Sequence, residues 1–304
     1  MYVCDYGYSS NIYQDELNNI LEGDSEVGIS KYGFTKMTAK EFKTWIKKQG
    51  NYKYTGLQVH HTWMPDYSCF YKADGGHEDE LTRQYNTQQY HKKTNGWGDI
   101  AQHFTIFPNG AIVTGRKLSN TTAIGIKGWN SNKICIEIYG NFDKGKDIMT
   151  KEQKEAVITV YGELCKKFKI TPSISTIRCH AWFTAGGTYL GDYNKSKSAK
   201  TCPGTNFMGF GNSKAAIRDN FIPLIQNYIS GKTTKIKDPV ACGVYRVKSP
   251  DGVLNIRKGP GASYDKVGRV KNGEAYTITK INGSWGYLKS GVGWINLSYT
   301  EKVK

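Results

Sequence analysis

The apolar pattern of this 304-residue chain changes character at one place, a polar stretch at residues 231–239. Before it, segments with the two-residue strand period are interleaved with segments of helical period. After it, short apolar runs (244–247, 253–257, 266–270, 275–281, 285–288 and 292–296) are separated by Gly, Asn or Pro turns, with no helical period. The two periods bury their apolar faces in different ways, so two architectures are required. Interleaved strands and helices imply an α/β fold with a mixed central sheet flanked by helices. The evenly punctuated tail implies a small all-β barrel. The expected division is a helical extension at 1–50, the α/β domain at 51–231, a linker at 232–239 and the barrel at 240–304.

Local signals place the elements. Residues 23–33 read as loop. Thr38 with Glu41 three positions on forms a capping box, and Phe42, Trp45 and Ile46 then share one helix face. A strand at 57–62 ends in two histidines, and 78–93 has helical composition. Strands at 101–107 and 111–115 flank the turn Pro108-Asn-Gly110. Another strand covers 134–139. Thr150 with Gln153 reads as a second capping box, opening a helix with Val157, Val160, Tyr161, Leu164 and Phe168 on its apolar side. A strand at 175–179 leads to His180. The last helix of the domain begins at Ser213, with a kink expected near Pro223.

Composition narrows the class. Hydrophobic residues are 38% of the chain, enough for a core and against global disorder. No apolar run approaches membrane-spanning length. The N-terminus lacks a basic segment followed by an apolar one, so no secretory leader is expected, and synthesis in the cytoplasm follows. The net charge is +16, and from residue 235 onward 13 Lys/Arg face 5 Asp/Glu. Such a basic surface suits a polyanion: nucleic acid, membrane or an anionic cell wall. No recognised nucleic-acid motif accompanies it. The seven cysteines have no C-x-x-C spacing, which argues against zinc fingers and thioredoxin-like sites. Cys135, Cys165 and Cys179 sit in apolar-periodic segments as small core hydrophobes, and a reducing compartment is the economical reading.

The chemistry concentrates in residues 178–204. His180 opens this stretch, and Lys200, Thr201, Cys202 and Pro203 close it. A neutral imidazole and a thiolate are both good zinc ligands, and a nearby ammonium favours the thiolate. The run Leu57, Gln58, Val59, His60, His61 supplies a third donor at the end of a buried strand. Two histidines and one cysteine leave a tetrahedral zinc one open position, the composition of a catalytic site.

Six pieces in order then resemble one family. They are Val59-His60; Asn95-Gly-Trp-Gly-Asp-Ile100 with His103-Phe104; Pro108-Asn-Gly110; Ile134-Cys-Ile-Glu137; Arg178-Cys-His180; and Lys200-Thr-Cys-Pro203. Residues of about 52 to 230 resemble the zinc-dependent type-2 N-acetylmuramoyl-L-alanine amidases, which share a fold with peptidoglycan recognition proteins. Residues 244–299 resemble a bacterial SH3-like cell-wall-binding domain, through Leu254-Asn-Ile-Arg-Lys-Gly-Pro-Gly261 and Gly293-Trp-Ile-Asn296. The combination looks like a phage or prophage endolysin. The resemblance implies zinc held by His60, His180 and Cys202, with His61 turned to the opposite strand face. It also implies bacterial peptidoglycan as partner, with no nucleic acid or membrane, and action on the wall after release.

Within that likeness, Glu137 is the expected general base, the alternative being a solvated face between inward-pointing Ile136 and Ile138. Lys200 is the expected oxyanion stabiliser, the alternative being an ordinary solvated lysine. The chain departs from the pattern at Gln102, where many relatives have tyrosine, and at Gly125, where a histidine is common. The 21 residues between His180 and Cys202 are also more than the family leads one to expect. That insertion either lines a substrate groove, with Gln102, Trp182 and Tyr189 as substrate-binding candidates, or is a surface elaboration. The competing functions are a non-catalytic peptidoglycan-binding protein and a zinc peptidase of stem-peptide bonds.

Overall fold

A computed structural model describes residues 27–72, 76–232, 243–262, 264–282 and 285–303. The described residues form two compact units, one within 27–232 and the other within 243–303, which also takes in 144–148. No helix among the described residues is long and apolar enough to cross a membrane.

The first unit opens with a hairpin, β1 (Ile29–Lys31) and β2 (Phe34–Met37), followed by α1 (Ala39–Lys48). Then come β3 (Gly56–His61), a helical turn α2 (Tyr67–Phe70), α3 (Glu80–Lys93), β4 (Phe104–Ile106), β5 (Ile112–Thr114) and β6 (Lys133–Ile138). The unit closes with α4 (Lys151–Lys167), β7 (Ile177–Cys179), α5 (Lys214–Ala216), a π turn at Ile217–Phe221 and α6 (Ile222–Ile229). The sheet order is β1-β2-β5-β4-β6-β3-β7. Strands β4, β6, β3 and β7 run parallel to one another, and β5, β2 and β1 continue the sheet beyond β4 through antiparallel pairs. This is the mixed sheet expected.

The described part of the N-terminal extension contains the expected helix α1 but is not helical throughout. Residues 29–31, read as loop, pair with 34–36, and β2 pairs with β5, so this segment extends the central sheet. Its strands are three and four residues long, too short to show a period. Residues 1–26 lie outside the described residues. The reducing-compartment expectation meets one exception, since Cys69 is disulfide-bonded. Cys135, Cys165, Cys179 and Cys202 are free and buried.

Strand alternation divides the sheet into two faces. Leu57 and Val59 of β3, Phe104 and Ile106 of β4, and Ile134, Ile136 and Ile138 of β6 point into the main core with α1, α4 and α6. A second cluster, including Phe70, Leu81, Phe107 and Tyr139, fills part of the other face under α2 and α3. The helix starts show why capping matters. Thr38 and Glu41 cap α1 reciprocally, an arrangement worth about 1 kcal/mol for the cap alone. At α4 only half of the expected box forms. Thr150 Oγ1 accepts from Gln153 N, but Gln153 Nε2 donates to Ile106 O and Tyr139 O, tying β4 to β6. The irregularity near Pro223 takes the form of the π turn immediately before it.

The second unit is a seven-stranded antiparallel sheet. Its strands are β8 (Gly243–Val247), β9 (Val253–Arg257), β10 (Lys266–Lys271), β11 (Ala275–Asn282), β12 (Trp285–Leu288), β13 (Trp294–Asn296) and β14 (Thr300–Lys302). They lie in the order β10-β9-β13-β12-β11-β8-β14 around one small core with Val247, Ile256, Ile278, Leu288 and Ile295.

Gly162 allows α4 and α6 to approach. A Cβ there would lie 2.2 Å from Tyr228 Cδ1, and Tyr228 OH donates to the neighbouring Glu163 at 2.8 Å. Gly162→Ala gains about 1 kcal/mol of helix propensity. Overpacking costs about 1–3 kcal/mol, and the strained hydrogen bond about 1 kcal/mol more. The expected result is a lower Tm. An unchanged or higher Tm would show that Tyr228 moves aside freely.

Candidate metal centre

Three chain segments meet beyond the ends of β3 and β7. His60 is the penultimate residue of β3, and His180 begins the turn immediately after β7. Cys202 returns to the same place from a turn that is anchored separately. Ala181 N donates to Cys202 O at 2.7 Å, Thr201 Oγ1 donates to Asp143 Oδ2 at 2.9 Å, and Asn212 Nδ2 donates to Thr201 O. The donor atoms of His60, His180 and Cys202 all lie within 4.8 Å of one another. His61 is excluded, as the alternation requires. Its Nδ1 accepts from Phe142 N at 3.1 Å on the other side of the strand.

The donor set fits zinc. Bond lengths of about 2.0–2.1 Å to nitrogen and 2.3 Å to sulfur, at a tetrahedral angle, place the two donors about 3.6 Å apart. His60 Nδ1 and Cys202 Sγ are 3.6 Å apart. Protonation points the same way. Burial, helped by the Lys200 charge, lowers His180 to about 4 and holds His60 well below its ordinary value. Both imidazoles are therefore neutral at pH 7 with a lone pair to give. Burial and the Glu137 charge raise the Cys202 thiol, while the His61 amide, 3.3 Å from Sγ, favours the thiolate. A cation is what such a buried sulfur needs in order to ionise.

Glu137 lies directly across the strand pair from His60 in β3 and from Thr105 in β4. Neighbouring positions in a parallel pair share a face, so the three side chains form a row on the face away from the main core. That face is neither bulk solvent nor apolar packing. It is the wall of a cavity of about 790 Å³ lined by His60, Glu137, His180, Lys200, Cys202 and, on the α3 side, Tyr90 and His91 among others. Glu137 is half-buried. Burial raises its carboxyl to about 7, and Lys200 opposes that rise. Lys200 itself is exposed at the cavity edge.

The remaining candidates separate. Gln102 lines the cavity but is nearly fully buried, and its Nε2 donates to Thr105 Oγ1 at 3.0 Å. Trp182 does not reach the cavity. It is 0% exposed, and its Nε1 donates to Asn212 O, so its expected substrate-binding role gives way to a core role. Tyr189 is also outside the cavity. Its ring covers the Arg178 guanidinium, which is held between Tyr189 at 4.2 Å and Trp129 at 4.9 Å. No residue of 181–199 lines the cavity, which favours the surface-elaboration reading. His103 is structural, accepting from Cys135 N through Nδ1 and pairing with Asn120 O through Nε2. Sequence reasoning passed over Gln58. The available signal was a polar side chain two positions before His60, hence on the same face of an otherwise apolar strand.

Comparison with known proteins agrees with this geometry. Residues 50–205 match the N-acetylmuramoyl-L-alanine amidase family, and residues 252–301 match the bacterial SH3 domain. An N-acetylmuramoyl-L-alanine amidase of Homo sapiens is 32% identical over 90 residues, covering 28% of this chain and 14% of that protein. Peptidoglycan-recognition protein SC2 of Drosophila melanogaster is 25% identical over 126 residues, 41% of this chain and 59% of that protein. The chain thus spans less than two thirds of either relative. Among solved structures, the endolysin amidase LysCS of Clostridium intestinale aligns at 23% identity with a TM-score of 0.35, covering 51% of this chain and 78% of that one. The amidase LysC of the same organism aligns at 21% with a TM-score of 0.37, covering 60% and 89%. The first match takes in just over half the chain and contains the whole His60, His180 and Cys202 cluster: this chain belongs to the N-acetylmuramoyl-L-alanine amidase family and carries a bacterial SH3 domain after it.

Proposed function

We propose that the chain is a zinc-dependent peptidoglycan hydrolase. It cuts the amide between the lactyl carbonyl of N-acetylmuramic acid and L-alanine of the stem peptide. The observation that carries this reading is the gathering of His60, Glu137, His180 and Cys202 at one cavity inside the amidase-family region. Zinc held by the two imidazoles and the thiolate would supply Lewis-acid chemistry at neutral pH.

The chain's own residues account for the proton and the charge. Glu137 takes a proton from the attacking water at its carboxylate and returns it to the leaving amine. A carboxyl raised to about 7 suits that exchange, because acid–base efficiency is greatest near the working pH. Lys200 offers a fixed positive charge to the oxyanion that develops on the carbonyl. Gln102 is tied to Thr105 and takes no part in proton transfer. The SH3 unit supplies wall affinity, with its basic surface contributing a salt-sensitive part. The protein would act on the bacterial wall, as an endolysin does.

Digestion of purified walls is expected to expose new N-terminal alanine and no new reducing sugar ends. New peptide termini other than alanine would favour the peptidase reading, and no products at all the binding-protein reading. Chelation should stop lysis and zinc restore it, and Cys202→Ser should lower the zinc content. Glu137→Gln should keep zinc and wall binding yet lose roughly 10²–10⁴-fold in rate. Near-wild-type turnover of the zinc-replete variant would remove Glu137 from the mechanism.

Removing residues 240–304 should release the protein from walls in a sedimentation assay without abolishing hydrolysis of soluble muramyl peptides. Retained pelleting would assign wall affinity to the first unit.

The neutral-imidazole description has its own pH test. In the metal-free protein His61, His103 and His180 are lowered by burial to about 4, from an ordinary 6.5. Between those values the unfolded chain binds more protons than the folded one, so stability falls as pH drops through that window. Well above 6.5 these groups are neutral in both states and contribute no slope. Thermal melts of chelator-treated protein should show Tm falling steadily from pH 6.5 towards 4. A flat Tm would mean that the histidines are not buried as neutral groups.

A further inference from the structure

We propose that Gln58 is a positioning residue that locks His60 in the tautomer whose Nδ1 lone pair faces Cys202 and His180. The consequence for metal binding rests on the zinc reading above. The tautomer itself follows from hydrogen bonds alone.

Gln58 is 0% exposed and sits two residues before His60, on the same face of β3. Its amide nitrogen lies 2.6 Å from Trp129 O and 3.0 Å from Asn130 Oδ1. The first partner is a backbone carbonyl and can only accept. The second is also an oxygen by its company, because Gly125 N and Ile126 N both donate to it, at 3.1 and 2.9 Å. Both hydrogens of the Gln58 amide are thereby committed, which settles an orientation that shape alone leaves open. Gln58 Oε1 must then be the atom facing His60 Nε2, at 3.1 Å. A carbonyl oxygen requires a donor, so Nε2 carries the proton and Nδ1 keeps its lone pair. That Nδ1 is the atom 3.6 Å from Cys202 Sγ. A metal-ligating imidazole is held and made more basic by an acceptor on its far N–H, and Gln58 Oε1 is that acceptor.

Gly125 makes room for the device. A Cβ at this position would lie 2.2 Å from Gln58 Oε1, 2.8 Å from His60 Nε2 and 2.9 Å from Cys135 Sγ. A side chain at 125 and the Gln58–His60 hydrogen bond therefore exclude each other. This is the position at which the family resemblance leads one to expect a histidine, so the glycine and the glutamine belong together.

The test begins with wild-type, metal-free protein and long-range ¹H–¹⁵N correlation of the histidine rings, His60 being assigned by comparison with His60→Gln. The expected result is Nε2–H with unprotonated Nδ1; the opposite tautomer overturns the proposal. Gln58→Met keeps bulk but offers no carbonyl, and Gly125→Ala displaces the carbonyl while leaving Gln58 in the chain. Both should give mixed tautomers and lower zinc affinity, measured by competition with a chelator, by about 10–100-fold. A folded Gln58→Met with wild-type zinc affinity would overturn the lock. If neither variant folds, the wild-type tautomer decides. A wild-type chain that takes up no zinc yet shows Nε2–H overturns the zinc reading and supports the lock.

Discussion

Alternation of side chains along the central strands is the constraint on which the rest of this structure depends. In β3, β4 and β6 one parity, carrying Leu57, Val59, Phe104, Ile106, Ile134, Ile136 and Ile138, belongs to the main core. The other parity, carrying Gln58, His60, Thr105, Cys135 and Glu137, is thereby turned away from it. A one-residue slip of β3 against β6 would exchange His60 for His61 and send a charged or polar row into the core. The apolar core thus sets the register, and the register brings His60, Glu137 and Thr105 side by side.

The same arrangement explains the electrostatics. Burial is the leading cause of the low imidazole values at His60 and His180 and of the high values at Glu137 and Cys202. It pushes every group towards its neutral form. Two neutral imidazoles and a thiol that would ionise beside a cation are a donor set suited to a divalent metal. Lys200 lies at the exposed edge, where its charge influences the buried groups while its ammonium stays hydrated.

Much of this was legible in the sequence because the signals were local. Thr38 and Glu41 announced α1, and strand-end histidines and the Lys200–Pro203 motif announced the donor cluster. The break at 231–239 announced the change of architecture. The parts that were not legible depend on what a segment meets. Residues 29–31 become a strand only by pairing with 34–36. Gln153 abandons its capping role because two carbonyls of the sheet lie within reach. Trp182 lies two residues after His180 in sequence, yet the turn after β7 directs it into the core. Gln58 takes its partners from Trp129 and Asn130, some seventy residues away, which no local pattern reveals.

The two imidazoles and the thiol are mounted differently. His60 sits near the end of β3, a strand inside the sheet, and His180 directly follows β7, which is zipped to β3, whereas Cys202 rides on a turn fastened by Asp143, Asn212 and a backbone bond to Ala181. Opening the sheet means unfolding the domain, while releasing the turn means breaking a handful of hydrogen bonds. The cysteine arm would therefore be the latch of the site: exchange of a bound ion would be timed by the opening of that turn, and Asp143, which holds Thr201 and Thr205 rather than a donor atom, would set how long the latch stays closed.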